Sequence, residues 1–369
     1  MEPLGIGIVG LGASRWMYLP AFRFLQEGRL VAVMDPNAEA VAEVCRQQEN
    51  IRGYTEYDDI LADPLVQALI IASPVSYHAE QVIRAAQAGK HVLCEKPMAP
   101  TVDDCDRMIA ACAQAAVTLM VALVKRFDRS MIYVKELLET GQLGSVFQVT
   151  CEWGWPQYFL AGWRDTLVNG GGLFLDHGSH SVDLCRWWLG EFASVSGEVA
   201  VLLEGREVED QALALYRHVG GAISFQQHSR MTHKPLRERY TIDGTLGTLE
   251  VECFGWSGPS REPYRLTLYH EGQVDRALIE NRTLPRDSDP HRDYDRHDPY
   301  LQELRHFCRA VRGEEPLRVT GLDGRKAIEA ITAAYLSSWK GEKVALPLRA
   351  TGPLDEAFRA ARRCIARPR

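Results

Sequence analysis

Asp176, His180 and Asp183 follow the glycine run Gly170-Gly171-Gly172 in close succession. On a helix, a four-residue step puts Asp176 and His180 on one face, with Asp183 a turn further along. A carboxylate beside an imidazole is equipment for moving a proton near neutral pH, because the imidazole titrates there and the carboxylate can fix its tautomer. The apolar run that leaves the glycines continues through Leu184, Trp187 and Trp188, which predicts a flexible approach feeding a helix. The same spacing also describes an ordinary amphipathic helix with a wet polar face. The rest of the chain decides between the two.

With 369 residues, two domains are expected. A hydrophobic share of 46% and a charged share of 25% are those of a globular protein, and a net charge of −7 argues against nucleic acid as a partner. Nine cysteines without a CxxC pair suit reduced thiols better than disulfides or zinc, and Cys94 reads as a buried small hydrophobe. Leu4 opens an apolar strand with no basic segment before it, so no signal peptide is read. The longest apolar run, Ile109–Val124, is broken by Gln114 and Thr118 and is too short for a membrane span. A cytoplasmic protein is expected.

The elements that must position the chemistry begin at the N-terminus. Leu4–Val9 is a short apolar strand that ends in Gly10-Leu11-Gly12-Ala13-Ser14-Arg15, and a helical pattern runs on to about Leu25. Strand, glycine turn and helix form the context of a dinucleotide site, with backbone amides approaching phosphates at a helix N-terminus. The alternative register Gly5-x-Gly7-x-x-Gly10 is rejected because it leaves only four residues for the strand. In the chosen register Arg15 stands where a third glycine is usual, so the helix packs less closely or Arg15 reaches the pyrophosphate. Asp35 ends the second apolar run, 23 residues after Gly12. There it can accept both ribose hydroxyls and repel a 2′-phosphate, which favours NAD over NADP; a turn and helix cap at Asp35-Pro36-Asn37 is compatible.

Strands and helices then alternate: strands at 67–72, 91–94 and 118–122, helices at 76–88 and near 102–115. This is the pattern of a doubly wound parallel sheet, whose ligands bind beyond the carboxyl ends of the strands. Ser73-Pro74 and Glu95-Lys96-Pro97 fall in such loops. A lysine is usually a solvated charge, but the Lys96 loop should open onto the cofactor.

Taken together, the Gly10-x-Gly12 turn, Ser73-Pro74 with His78 and Glu80, Ala88-Gly89-Lys90-His91-Val92-Leu93-Cys94-Glu95-Lys96-Pro97, Arg126-Phe127, and Gly170 through Asp176, His180 and Asp183 resemble the family of glucose-fructose oxidoreductase, inositol dehydrogenase and the rhizopine-catabolism protein MocA. Trp163-Arg164 and the final third match more weakly. The resemblance implies an α/β protein: an N-terminal Rossmann domain over 1–124, then a C-terminal α/β domain over 125–369 with a large, mostly antiparallel sheet. It implies a nicotinamide held by Gly10, Gly12, Ala13, Ser14, Arg15, Asp35, Ser73, Pro74, His78, Glu95, Lys96, Trp163 and Arg164. It makes Lys96, Asp176 and His180 the catalytic residues, with Arg126 and Tyr158 also bordering the substrate. Val75 stands where the family carries asparagine, which removes a polar contact.

In the second domain a helix is expected at 130–140 and a strand at 146–153. Trp153, Trp155, Tyr158, Phe159 and Trp163 crowd one short segment, which reads as a surface for the apolar faces of sugars or as a hydrophobic lid. From Ala193 to Leu268, short strands with brief turns predict an antiparallel meander. A homo-oligomer, dimer or tetramer, through its open face is what the resemblance implies. The polar stretch 280–299 contains His291 and His297 but fits no metal site and reads as a solvated loop. Helices at 300–312 and 322–338 and a strand around 344–348 finish the chain.

The expected activity is NAD(H)-dependent hydride transfer to or from a secondary alcohol of a sugar, polyol or related cyclic compound. His180 would take the hydroxyl proton, Lys96 would polarise the oxygen, and Asp176 would orient His180 or bind a neighbouring hydroxyl. Two alternatives stay open: glycoside cleavage or epimerisation with an internally recycled cofactor, and a non-enzymatic dinucleotide or sugar sensor.

Overall fold

The structure is a computed structural model that describes residues 2–12, 14–48, 50–155, 162–233, 237–254, 264–270, 273–279 and 298–348. The chain packs as two compact units, Met1–Phe127 with Arg296–Arg325, and Asp128–Asp295 with Lys326–Arg369.

The first unit alternates β1 (Leu4–Val9), α1 (Ser14–Phe22), β2 (Gly28–Met34), α2 (Ala38–Gln47), β3 (Arg52–Tyr54), α3 (Tyr57–Ala62), β4 (Ala68–Ile71), α4 (His78–Gln87), β5 (His91–Glu95), α5 (Val102–Gln114) and β6 (Leu119–Ala122). Its six strands pair in parallel in the order β3-β2-β1-β4-β5-β6. Every residue of β1, β4 and β6 is buried, as expected where both faces of a parallel sheet are covered by helices. The strand order reverses between β1 and β4, and that switch point opens a crevice at their carboxyl ends. Gly5 and Gly7 lie inside β1, which agrees with the rejected glycine register. The helix α1 stops at Phe22 instead of Leu25: the Arg23 and Phe24 amides donate only three residues back, to the Pro20 and Ala21 carbonyls, which tightens and closes the last turn.

The second unit opens with α6 (Arg129–Glu139) and β7 (Val146–Gly154) and continues through α7 (Leu173–Asp176), α8 (Gly178–Leu189), β8 (Phe192–Ala200), β9 (Gln211–His218), β10 (Ile223–Ser229), β11 (Arg237–Gly244), β12 (Thr248–Phe254), β13 (Tyr264–His270) and β14 (Gln273–Ile279). Its sheet runs β14-β13-β12-β11-β7-β10-β9-β8, with β15 (Val344–Ala345) at the edge. The predicted meander is therefore divided. β7 inserts between β10 and β11 and pairs in parallel with β10, while the other ladders are antiparallel. Strands β9 and β10 alternate buried and more open residues, the mark of a sheet with one packed face.

After β14 the chain returns to the first unit as α9 (Pro299–Val311), capped by Asp298 with proline at its first position. The helix α10 (Gly321–Lys340) starts there too and runs on into the second unit. A single boundary at 124/125 does not contain this return. The physical reason is apolar: α9 buries Leu301, Leu304, Phe307 and Cys308, and its Tyr300 ring meets Tyr18 of α1 edge-on at 5.5 Å. Among the described residues no helix is long and apolar enough to cross a membrane. Residues 280–297, with His291 and His297, lie outside the described residues.

Candidate active site

At the switch point of the first unit, Gly10 has φ +93, and a Cβ there would stand 2.6 Å from the Ser73 backbone nitrogen. Only glycine lets the ends of β1 and β4 come this close. At Gly12 a Cβ would meet nothing within 4 Å, so the turn leaves room for a ligand to approach its backbone. Asp35 closes the crevice from β2: Leu11 N–H donates to its Oδ2 at 2.7 Å and Asn37 N–H to its Oδ1 at 2.9 Å. A carboxylate has about four lone-pair sites, so both oxygens keep acceptor capacity for a pair of hydroxyls. Ser14 opens α1, and Ala13 lies outside the described residues. Arg15 is engaged by α2 and by its own helix. Its Nη1 is 2.8 Å from Glu43 Oε2 of α2, and its guanidinium lies 4.8 Å from the Trp16 ring centroid. The site residues present fit a dinucleotide: an amide-lined glycine turn at a helix N-terminus with an acidic acceptor beside it.

The two loops beyond β4 and β5 are tied together by His78. Its Nε2 stands 2.9 Å from Ser73 O, and its Nδ1 stands 3.1 Å from Pro97 O. Burial pushes this imidazole below its usual pKa, against the opposing pull of the three carbonyls of Ser73, Pro97 and Met98. Ser73 Oγ also donates to Gln81 Oε1 at 2.5 Å, and Pro74 leads into a short 3-10 turn at Val75–Tyr77. Cys94 is fully buried, as expected, with Sγ 3.6 Å from His78 Nδ1. Glu95 ends β5 and accepts the Lys96 amide on Oε2 at 3.0 Å. Lys96 itself is half-buried at the mouth of this loop. Arg126, expected at the substrate, is only 4% exposed; Nη2 reaches Asp323 Oδ1 at 3.2 Å and Nη1 reaches the Arg318 carbonyl at 3.5 Å.

In the second unit the glycine run is packed instead of loose. A Cβ on Gly171 would fall 2.3 Å from the Arg164 carbonyl oxygen, and Gly171 and Gly172 amides donate to the carbonyls of Thr166 and Arg164. That close approach seats the 3-10 turn Gly162–Asp165 against the start of α7. Asp176 and His180 do not share one continuous helix, as the four-residue spacing predicted. Asp176 closes α7, His177 intervenes, and His180 lies in α8, its amide bonded to the His177 carbonyl three residues back. Asp176 is buried and His180 is half-buried. Asp176 Oδ2 accepts from Arg164 Nε at 2.9 Å and lies 3.4 Å from His177 Nε2. The Arg164 guanidinium also covers the Trp163 ring at 4.6 Å.

Sequence reasoning passed over His177 and Glu209. The His177 ring stacks on Trp153 with centroids 4.1 Å apart and meets Trp155 edge-on at 5.4 Å, so an aromatic wall stands beside the Asp176 carboxylate. Glu209 is buried and accepts the Phe174 amide on Oε1 at 2.8 Å, while the Tyr335 hydroxyl donates to the same oxygen. A carboxylate at this helix start satisfies an otherwise orphaned donor and favours the local dipole. The adjacency of His177 to Asp176 was a signal in the chain; nothing in the spacing pointed to Glu209. Tyr158 lies outside the described residues.

A doubly wound sheet with this turn, joined to a polar cluster of carboxylate, imidazoles and guanidinium on a second α/β unit, defines a dinucleotide-binding oxidoreductase. The model of the oxidoreductase family with an NAD-binding Rossmann fold matches residues 4–123, and that of the GFO/IDH/MocA C-terminal domain matches residues 131–250; the chain belongs to the Gfo/Idh/MocA oxidoreductase family. It is similar to the myo-inositol 2-dehydrogenase of Thermotoga maritima, 29% identical over 88% of this chain and 92% of the relative. A 2,7-anhydro-N-acetylneuraminate hydratase of Mediterraneibacter gnavus is 28% identical over 94% of this chain and 97% of its own length. The crystal structure of the WlbA dehydrogenase from Bordetella pertussis, in complex with NADH and UDP-GlcNAcA, aligns with TM-score 0.77 and 29% identity over 94% of this chain and all of the other.

Proposed function

We propose that this protein is an NAD(H)-dependent dehydrogenase acting on a secondary alcohol, or the matching ketone, of a sugar, polyol or related cyclic compound. The observation that carries the reading is the buried Asp176 carboxylate, held by Arg164 beside the His177–Trp153 stack, with His180 one turn further on. Carbohydrates combine hydroxyls that need acceptors with apolar ring faces that suit aromatic side chains, and this cluster offers both.

Gly10, Gly12 and Asp35 would hold the dinucleotide. When bound, the nicotinamide supplies the hydride acceptor or donor that no side chain provides. The chain's residues handle the proton and the developing charge. His180 takes the hydroxyl proton. The Lys96 ammonium polarises the reacting oxygen and steadies negative charge on it. Asp176, already engaged by Arg164, accepts a neighbouring hydroxyl.

The test is a panel of inositols, aldoses and uronic acids with NAD+, read as NADH absorbance. Turnover on members of the panel, lost by about 100-fold or more in Lys96→Met and in His180→Ala while NADH binding persists, supports the roles. Near-wild-type turnover in either variant refutes them. A second reading, a reaction with no net redox change, is favoured by the full-length similarity to a hydratase. Its signature is conversion of an anhydro sugar or glycoside without accumulation of free NADH. Tight NAD binding with no conversion of any panel member would favour a sensor.

A further inference from the structure

Three side chains from three elements of the first unit converge behind the Lys96 turn. Tyr18 of α1 and Glu303 of α9 are both 0% exposed, and Glu95 ends β5. The Tyr18 hydroxyl donates to Glu95 Oε1 at 2.7 Å, and Glu303 Oε2 lies 3.3 Å from the same hydroxyl oxygen. The other oxygen of Glu95, Oε2, accepts the Lys96 amide at 3.0 Å.

One phenolic hydrogen thus faces two carboxyl groups. No ion pair reaches Glu303 among the described residues, and its Oε1 has no hydrogen-bond partner there. The cations of α9 are spent elsewhere: Arg305 Nε lies 3.7 Å from Glu27 and Arg309 Nη2 2.8 Å from it. Arg126, on the turn that packs against α9, engages Asp323. Among the described residues, the remaining titratable groups around Glu303 are acidic or phenolic: Glu95, Tyr18, Tyr300, and Asp298 at the α9 cap. Glu303 is fully buried beside a second carboxylate and has no cation on it among the described residues, so it is the group that keeps its proton.

We propose that Glu303 is a neutral carboxylic acid at neutral pH and a positioning residue, heading a one-way hydrogen-bond chain from Glu303 through Tyr18 to Glu95 that holds the main chain at Lys96. Glu303 Oε2–H donates to the phenolic oxygen, the phenol donates to Glu95, and the ionised Glu95 accepts the Lys96 amide. The shorter of the two phenol contacts goes to the group that carries the charge, as charge-assisted bonds do. Burial, with the Glu95 charge behind it, pushes the Glu303 carboxyl well above its ordinary range, in line with the geometry. This assignment goes beyond the proposed activity and needs no knowledge of the substrate.

Infrared difference spectroscopy of the full chain tests it. The wild type minus Glu303→Gln should show the C=O stretch of a protonated carboxyl at neutral and mildly alkaline pH. Glu303→Gln, whose amide donates in the acid's place, should bind NADH within about twofold of wild type and melt close to it. Tyr18→Phe should retain the band at higher frequency, because the acid has lost its acceptor, and should speed hydrogen exchange of the Lys96 amide about tenfold or more. A wild type without the band, or a band unchanged in Glu303→Gln, overturns the proposal. If Glu303→Gln does not fold, an unmoved band in Tyr18→Phe overturns it as well.

Discussion

Asp176 and Arg164 form an ion pair in which one partner is buried and the other reaches solvent: Oδ2 to Nε is 2.9 Å, with the side chains 2% and 33% exposed. The carboxylate expected to serve His180 is thereby held in place by a residue expected to serve the cofactor. His177 stands on the same oxygen at 3.4 Å.

Removing the guanidinium should leave a buried charge with reduced support. Arg164→Met is expected to cost about 1–3 kcal/mol of stability, the penalty of an undersatisfied buried acceptor. Asp176→Asn, which keeps shape but loses charge, should unfold near wild type and instead lower turnover about 100-fold on any active panel substrate. Thermal unfolding and steady-state rates on the two variants separate these effects; equal stability loss in both would contradict the division.

Gly10 and Gly12 should respond differently to one added methyl. Gly10→Ala combines φ +93 with a contact at 2.6 Å from the Ser73 nitrogen, so a destabilisation of at least about 1–2 kcal/mol is expected. Gly12→Ala meets nothing within 4 Å and should melt like wild type while losing NADH affinity. Calorimetry and NADH fluorescence titration on the same pair give the answer. A Gly12→Ala protein that binds NADH normally would remove this turn from the cofactor site.

Asp35 accepts two backbone amides and sits at the end of β2. Asp35→Ala is expected to narrow the preference for NAD+ over NADP+ by about tenfold, the scale of one lost hydrogen bond to a charged group. Competitive titration with the two dinucleotides measures it, and an unchanged ratio would assign cofactor choice elsewhere.

Acid should weaken the fold through its buried imidazoles. His78, His91, His218 and His306 all have pKa values pushed below the usual 6.5, with burial the largest cause in each. The unfolded chain therefore binds more protons as pH falls through about 6.5, so stability is full above that value and declines below it. His78→Gln should show a shallower decline than wild type in denaturant midpoints measured across this range. A steeper one would mean that His78 is charged in the fold.

Much of the first unit could be read along the chain, because its signals are local. The apolar runs of β1, β4 and β6 need only be counted, and the turn at Gly10 and the acid at Asp35 follow their strands at short distances. The antiparallel character of the second sheet was likewise visible in short strands and brief turns. Other features join residues far apart in the chain. The Asp176–Arg164 pair depends on Gly171 packing against the 3-10 turn, and the insertion of β7 between β10 and β11 on pairings remote in sequence.

The amino-acid order alone determined the doubly wound sheet, the glycine turn with its acidic partner and the residue types available for proton transfer, since each rests on periodicity or spacing within a short stretch. Tertiary structure alone decided that Asp176 and His180 fall in separate helices, that Arg126 is drawn to Asp323, and that α9 brings Glu303 to Tyr18. Those outcomes are settled by burial and by hydrogen-bond satisfaction between distant segments. Neither quantity exists until the chain has folded.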